Sequence, residues 1–457
     1  MNYQLIIIGG GPAGYTAAET AGKAGLSVLL IEKQNLGGVC LNEGCIPTKT
    51  LLYSAKTYDG AKQASKYAVS ASEVSFDLPK MIARKTKVVR KLVLGVKAKL
   101  TANNVTIVTG EAQIIDKNHV RCADETYTCE NLILCTGSET FVPPIPGVET
   151  VNYWTHREAL TSKELPESLI VVGGGVIGME FASFFNSLGV AVTVIEMMDE
   201  ILGGMDRELS GLLRADYAKR GIKFLLSTKV TAMAQTTDGT LPGDTVQGVE
   251  VSYEHAEGTG SVTAQQLLMS VGRRPVTKGY GLENLHLQLT ERGHIKVNEQ
   301  MQSSVPGVYV CGDLTGFSLL AHTAVREAEV AVHAILEKDD AMSYRAIPGV
   351  VYTNPEIAGV GQTEESLQAK GIAYRVVKLP MAYSGRFVAE NEGVNGVCKV
   401  LFAETDGRVL GAHVLGNPAS EIITLATMAI EMEMTAAAWK KIVFPHPTVS
   451  EIFRETL

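Results

Sequence analysis

Cys40 and Cys45 stand close together in GGVCLNEGCIPTK (37–49), in a chain that holds seven cysteines. Two thiols at this spacing can be a structural bridge, half of a metal site, small buried hydrophobes or a redox pair. Zinc needs four ligands, commonly as two close pairs, and no second Cys or His pair stands at such a spacing. Where thiols are kept reduced, a disulfide is usually catalytic. In a regular helix, residues five apart lie about 7.5 Å along the axis and on different faces, whereas a disulfide needs Cα atoms within roughly 7 Å. A redox pair therefore asks for irregular backbone or a distorted first turn at Cys40, which Gly37 and Gly38 permit. Cys45 near a helix N-terminus would have a lowered pKa and a usable thiolate. The other cysteines (122, 129, 135, 311 and 398) lack metal-ligand spacing and read as small buried hydrophobes.

Two phosphate-binding devices flank this chemistry. Residues 5–14, LIIIGGGPAG, are an apolar run closed by Gly9, Gly11 and Gly14, followed by a helical stretch and the strand SVLLIE ending at Glu32. Such glycines permit a tight turn and let backbone approach a pyrophosphate at a helix N-terminus, while the acid takes a ribose hydroxyl. Residues 169–178, LIVVGGGVIG, repeat the device with Gly173, Gly175 and Gly178, a helix, and VAVTVIE ending at Glu196. The glycine-to-acid offset is the same in both, so a whole strand–helix–strand unit recurs. Two units imply two dinucleotides. Glu196 suits a free 2′-hydroxyl and repels a 2′-phosphate, and no Arg cluster follows it; if the second site holds a nicotinamide cofactor, NAD is favoured over NADP.

Elements of this kind need room. At 457 residues the chain has space for about three domains, and with 46% hydrophobic and 20% charged residues it is too apolar for disorder. A net charge of −8 argues against non-specific nucleic-acid binding. NYQLIIIGGG enters a strand with no leader before it, and the most apolar stretch, 169–185, is broken by three glycines and Glu180. A cytoplasmic setting is expected.

Taken together, the motifs resemble the pyridine nucleotide-disulfide oxidoreductases of the glutathione reductase type, and most closely the dihydrolipoamide dehydrogenase branch. The motifs that carry the resemblance are GGGPAG, GGVCLNEGCIPTK, LILCTGS (132–138), GGGVIGME, VGRRP (271–275), VYVCGD (308–313), LLAHTA (319–324), VYTNPEIAGVG (351–361) and FPHPTVSE (444–451). The resemblance implies an α/β fold with two Rossmann-like dinucleotide-binding domains and a C-terminal α/β dimerisation domain. It implies FAD at the first site and NAD at the second. Cys45 matches the cysteine beside the flavin, which forms the charge-transfer thiolate, and Cys40 matches the interchange cysteine. Lys49 matches the lysine near the flavin N5, although alone it reads as a solvated helix lysine. Asp313 matches the aspartate on the ribityl chain, although alone it reads as a turn residue. The flavin contacts so implied are Gly9, Gly11, Pro12, Ala13, Gly14, Glu32, Lys33, Gly38, Val39, Cys40, Lys49, Ala112, Thr136, Gly137, Ser138, Gly312, Asp313, Leu320, Ala321 and His322. Those of NAD are Gly173, Gly175, Val176, Ile177, Gly178, Glu180, Glu196, Val230 and Gly272, with Glu180 near the nicotinamide.

Dithiol oxidation also needs a proton acceptor, a role suited to histidine. The chain has nine. The resemblance selects His446 as the acid–base group, oriented by Glu451 and supplied by the second subunit of a homodimer. Spacing alone favours a capping box from Thr448 to Glu451 with Pro447 at a helix start; the two roles can coexist.

The domain expectation is an FAD domain over 1–147, an NAD domain over 148–273, a return to the flavin domain over 274–342, and an interface domain over 343–457. A turn-rich hairpin tip is expected at 234–244. Residues 80–99 combine an apolar stripe with eight Lys or Arg, read as a solvated helix face ahead of a docking surface for an acidic partner. FPHPT departs from the commoner sequence before HPT, Gly203 stands where a proline is usual, and Cys135 and Cys311 occupy small-residue positions near the flavin. The expected reaction is oxidation of dihydrolipoyl groups with reduction of NAD⁺, the lipoyl partner belonging to a 2-oxoacid dehydrogenase, acetoin dehydrogenase or glycine cleavage complex. No nucleic acid, membrane or metal is expected to take part. The alternatives are an NAD(P)H-dependent reductase of another disulfide or a metal, and a non-catalytic flavoprotein scaffold.

Overall fold

A computed structural model describes residues 2–236 and 248–457. The chain divides into two compact units. One comprises 1–50, 83–141 and 273–344; the other comprises 51–82, 142–272 and 345–457.

The first unit is built on strand Asn2–Ile8. Its residues Leu5 to Ile8 are at most 4% exposed, as a strand covered on both faces of a parallel sheet requires. It pairs in parallel with Val28–Glu32 on one side and Glu125–Leu134 on the other. Thr106–Thr109 extends the sheet beyond Val28–Glu32, and Val308–Val310 adds to the last part of Glu125–Leu134, both in parallel. An antiparallel meander, Ala112–Asp116 and His119–Cys122, joins the first part of Glu125–Leu134. Helix Pro12–Lys23 opens with proline, whose fixed φ and missing N–H suit that position. Its Ala17, Ala18 and Ala21 are fully buried, so small side chains bring it close to its neighbour, helix Ala321–Ile335.

The second unit repeats the first topology in shorter form. Ser168–Val172 pairs in parallel with Ala191–Ile195 and Gln266–Met269, and Lys223–Leu225 lies beyond Ala191–Ile195. Three antiparallel strands, Lys229–Thr236, Gly248–His255 and Gly258–Ala264, form a separate sheet. Thr236 pairs with Gly248; of the expected hairpin tip, 234–236 belong to the strand and 237–244 lie outside the described residues. A five-stranded antiparallel sheet runs in the order Gly349–Val351, Ile357–Gly361, Val409–Leu415, Val397–Ala403 and Tyr374–Pro380. Helix Ala419–Glu431 and the C-terminal helix Glu451–Glu455 pack on it around Ile423, Phe402 and Phe453.

The basic stretch is helix Leu78–Ala102. Its cationic side chains face solvent except at Lys85, whose pKa burial lowers. Among the described residues no helix is long and apolar enough to cross a membrane.

Candidate active site

The first glycine turn forms an anion seat. A Cβ at Gly9 would lie 2.3 Å from the Cys135 carbonyl oxygen, and one at Gly14 would lie 1.8 Å from the Gly9 oxygen. Backbone fills both places. At Gly11 the nearest atom would be 3.8 Å away, which leaves that face clear for a diphosphate to approach the helix behind Pro12 and Ala13. Glu32 takes the Gly10 amide on Oε2 at 2.6 Å and the Gln34 amide on Oε1 at 2.7 Å. A carboxylate has further lone pairs for ribose hydroxyls. Lys33 is exposed just past Glu32, and the Gly110 amide bonds the Glu32 carbonyl at 3.0 Å, two residues before buried Ala112.

The second turn has the same construction. A Cβ at Gly173 would lie 2.5 Å from the Ser270 oxygen and one at Gly178 would lie 2.0 Å from the Gly173 oxygen, while at Gly175 nothing stands within 4 Å. Glu196 takes the Gly174 amide at 2.6 Å and the Met198 amide at 2.8 Å. Val176 is exposed and Ile177 half-buried at the helix start. Glu180, one turn on, is buried and accepts the Tyr352 amide at 3.0 Å. Gly272 is exposed two residues after Ser270. Val230 is half-buried two residues after Thr228, whose amide bonds the Glu196 carbonyl at 2.9 Å.

The cysteine segment is docked on the first turn. The Gly37 amide donates to the Gly10 carbonyl at 2.8 Å. Gly38 has φ +57°, and a Cβ there would lie 2.6 Å from the Gly11 Cα, so only glycine fits. Short helix Gly38–Glu43 starts at this contact and carries Val39 and Cys40 in its first turn. The sequence asks for irregular backbone or a distorted first turn at Cys40, and Gly37 at φ +98° and Gly38 at φ +57° open the turn that holds it. The structure adds a break after it: Gly44, at φ −138° and ψ −107°, ends the short helix, and Cys45 begins helix Cys45–Lys62. The break at Gly44 lets the two thiols meet across a helix boundary that a continuous helix would not allow.

No disulfide joins the two cysteines in this structure. The hydrogen bond between Cys40 and Cys45 is the main reason that the Cys40 pKa is raised; burial and the charge of Cys45 add to it, and the Lys49 ammonium opposes it. The raised value keeps the proton on Cys40, and Cys45 stands at a helix N-terminus, which favours negative charge. Lys49, four residues on, shares the Cys45 face of the helix. Tyr15, whose pKa burial raises with help from both cysteines, faces the pair from helix Pro12–Lys23.

The other segments expected at the flavin are tied to one another, and Gly312 lies near the first turn. Gly312 backs onto Ala13, 3.6 Å from where its own Cβ would stand. The Ser138 hydroxyl donates to the Asp313 carboxylate. Arg273 donates to the Ser138 hydroxyl at 2.7 Å and to its carbonyl at 2.6 Å. The Val276 amide meets the Gly137 carbonyl at 2.9 Å, and the Thr136 hydroxyl meets the Val276 carbonyl at 2.8 Å. Leu320 precedes helix Ala321–Ile335, which Ala321 and exposed His322 open. Sequence reasoning missed Arg273, although it stands inside VGRRP. It missed Tyr15 too, and nothing in the local pattern distinguishes that tyrosine from a surface one.

His446 is exposed, and its Nδ1–H donates to Glu451 at 2.9 Å. Glu451 also takes the Thr448 amide at 2.8 Å. That amide first, and His446 second, hold the Glu451 carboxyl below its usual range. The expected capping box is not formed: the helix starts at Glu451, after Ser450 and not at Pro447, no side chain caps it, and the Thr448 hydroxyl turns to the Pro445 carbonyl at 2.8 Å. Glu451 instead holds the Thr448 amide and His446 on one carboxylate.

The sequence profile of pyridine nucleotide-disulphide oxidoreductases matches residues 3–328, and that of their dimerisation domain matches 347–457. This chain belongs to that family. Within it, the dihydrolipoyl dehydrogenase of Mycoplasma pneumoniae is 38% identical over 100% of this chain and 98% of its own. That of Thermus scotoductus is 40% identical over 98% and 95%. The solved structure of the HOCl-induced flavoprotein disulfide reductase RclA from Escherichia coli is 29% identical, covers 99% of each chain and superposes with a TM-score of 0.87. As a member of the family, the chain carries the α/β architecture with two dinucleotide-binding halves and a dimerisation domain.

Proposed function

We propose that this family member is an NAD-dependent dihydrolipoyl dehydrogenase that works through a Cys40–Cys45 disulfide and FAD. The observation that carries the reading is the thiol pair seated directly on the first glycine turn, with Gly38 against Gly11 and Lys49 beside the thiols. The seat fits FAD: Gly11 leaves the diphosphate face clear, Glu32 offers a fixed carboxylate, and Asp313 stands beside Gly312 with Ser138 bound to it. FAD, when bound there, accepts an electron pair from the dithiol and delivers it as hydride to NAD⁺.

The chain's own groups divide the remaining work. A dihydrolipoyl thiol gives its proton to His446 Nε2, since Glu451 holds the other ring nitrogen. The resulting substrate thiolate attacks the Cys40 sulfur; the Cys40–Cys45 bond breaks and Cys45 leaves as thiolate. The second substrate thiol then attacks the sulfur bound to Cys40. The lipoyl disulfide closes and Cys40 departs as a thiol, taking the second proton. The raised pKa of Cys40 and the helix N-terminus at Cys45 support this division. Lys49 balances negative charge between the thiolate and the flavin. Glu196, fixed by the Gly174 amide, binds the adenosine ribose of NAD and repels the 2′-phosphate of NADP.

His446 lies in the matched dimerisation domain with its side chain exposed, which supports a homodimer whose second subunit supplies the base. A lipoyl domain or lipoyl carrier protein of a 2-oxoacid dehydrogenase, acetoin dehydrogenase or glycine cleavage complex then brings the substrate, in a cytoplasm that keeps the buried thiols reduced. The full-length likeness to RclA favours one second reading, a reductase of another disulfide or a metal.

The test is NADH formation by the FAD-loaded protein from dihydrolipoamide, with NAD⁺ and NADP⁺ as parallel acceptors. Turnover with NAD⁺ and little with NADP⁺ is expected. A flavoprotein that is reduced by NADH yet inert to dihydrolipoamide would favour the reductase reading.

A further inference from the structure

Glu327 is a carboxylate that the reaction does not use. It lies on helix Ala321–Ile335 and is 0% exposed. Its place on the apolar face, with Thr323, Ala324, Val330 and Ala331 also buried, puts a charge-bearing group where helical periodicity expects an aliphatic one. Burying it is tolerated because three donors converge on it. The Gly312 amide donates to Oε2 at 2.6 Å, the Tyr344 hydroxyl to Oε1 at 2.7 Å, and the Thr315 hydroxyl to Oε1 at 3.2 Å. Tyr344 is itself fixed by stacking on Phe317, with ring centroids 4.6 Å apart. Two of the donors, Gly312 and Thr315, belong to the segment that carries Asp313, as does Phe317.

We propose that Glu327 is a positioning residue for the flavin: by accepting the Gly312 amide it fixes the turn that aims Asp313 at the ribityl chain. The inference rests on the FAD reading of this seat and names a residue that acts on it from behind. Gly312 faces Ala13 of the glycine-turn helix and Ala324 of the Glu327 helix, while its amide donates to Glu327. The carboxylate thus couples the two halves of the cradle through one backbone amide.

A pH signature separates this role from plain packing. Burial is the main cause that lifts the Glu327 pKa to about 7; its three donors lower it and Asp313 raises it. The titratable groups that face it are Asp313, Tyr344 and Cys311. Arg326 and His333 of the same helix are held by Asp340. A bound diphosphate adds negative charge nearby and disfavours the ionised form. FAD therefore binds more tightly when Glu327 is protonated, and its affinity declines as pH rises through about 7.

The experiment measures FAD dissociation from wild type, E327Q and Y344F between pH 5.5 and 8.5, by flavin fluorescence on reconstituting the apoprotein. In wild type the affinity is expected to fall with rising pH. E327Q, which keeps one acceptor for the Gly312 amide and stands in for the protonated acid, is expected to flatten that step and hold FAD across the range at the affinity that wild type shows at low pH. Y344F is expected to keep the step and move it to higher pH, because a donor to the carboxylate is gone. Y344F also keeps the question open to measurement should E327Q fail to fold. A wild type that binds FAD with no pH step, or variants that bind it as wild type does, would overturn the positioning role. A wild-type chain that cannot bind FAD at all would overturn the flavin reading on which it rests.

Discussion

The Gly174 amide meets the Glu196 carboxylate at 2.6 Å, and the Gly10 amide meets Glu32 at the same distance. In each case the acid is fixed by the amide of the middle residue of its own glycine triplet. The strand end and the phosphate turn are thereby tied together, so the distance between the ribose site and the diphosphate site is set before any ligand arrives. Such preorganisation reduces the ordering cost of binding.

Replacing Glu196 with Ser tests what the second of these acids selects. The variant loses the ribose acceptor and the charge that opposes a 2′-phosphate. We expect kcat/KM for NAD⁺ to fall about 10- to 100-fold, the loss of about 1.4–2.7 kcal/mol from a charge-assisted hydrogen bond, while that for NADP⁺ rises. Glu32→Ser should leave the NAD⁺/NADP⁺ ratio unchanged and weaken FAD instead. Steady-state kinetics with both acceptors checks this; equal losses with NAD⁺ and NADP⁺ in Glu196→Ser would show that the acid plays no part in the choice.

Gly44 is the second test, because it alone separates the helices that carry the thiols. A Cβ there would stand 3.0 Å from the Val39 carbonyl oxygen and 3.5 Å from the Cys40 Cα. Both are backbone atoms, so relief must move the short helix. Gly44→Ala is expected to keep FAD and slow dithiol–disulfide exchange about tenfold or more, since small misplacements of reacting groups are costly. Rapid mixing of the oxidised enzyme with dihydrolipoamide, followed through the flavin absorbance, measures it. At Gly95, inside helix Leu78–Ala102, an added Cβ meets nothing within 4 Å. There Gly→Ala should stabilise by roughly 0.5–1 kcal/mol and leave the exchange rate alone, which makes it the control.

These positions also mark how far the sequence could be read. The two glycine turns were legible because their chemistry is local: strand, triplet, helix and acid follow one another within about thirty residues. The cysteines were legible as a pair, and Gly37 and Gly38 as residues that permit a distorted first turn at Cys40; both have positive φ there. The approach of Gly38 to Gly11 and the helix break at Gly44 were not legible. A glycine's neighbour in space is not encoded in its neighbours in sequence. Arg273 and Glu327 show the same limit. Arg273 acts on Ser138, 135 residues away, and Glu327 on a turn 15 residues before it, to which no local pattern joins it. Glu327 alone left a sequence trace, an acid on the apolar stripe of AHTAVREAEVAVHAI. The His446–Glu451 pairing was visible only through the motif resemblance; the capping box that spacing favoured at Thr448–Glu451 does not form, because the helix starts later than that box requires and the Glu451 carboxylate holds His446 and the Thr448 amide.

The double use of Glu451 leads to the last prediction. Its pKa lies below the usual carboxylate range because the Thr448 amide and His446 stabilise the charged form. A depressed value means the contribution is present above the ordinary carboxyl pKa and is lost as pH falls through the depressed one. The Glu451 carboxylate therefore stays charged across neutral and mildly acidic pH, and acid inactivation in that range does not come from Glu451. His446→Ala removes the proton acceptor and should lower kcat by about 10²–10⁴-fold, the usual worth of a general base. Glu451→Gln keeps a hydrogen-bonding group and loses the charge; a fall of roughly tenfold is expected, with NADH still reducing the flavin normally because that step does not use the histidine. If the base comes from the second subunit, Cys45→Ser and His446→Ala homodimers, each inactive, should regain activity when their subunits exchange. A mixed dimer holds one site with both cysteines and an intact histidine, so up to half of its sites are restored. Native mass spectrometry reports the exchange, and NADH formation from dihydrolipoamide reports the recovery. Complete exchange without recovery would place the histidine and the cysteines of each working site on the same chain.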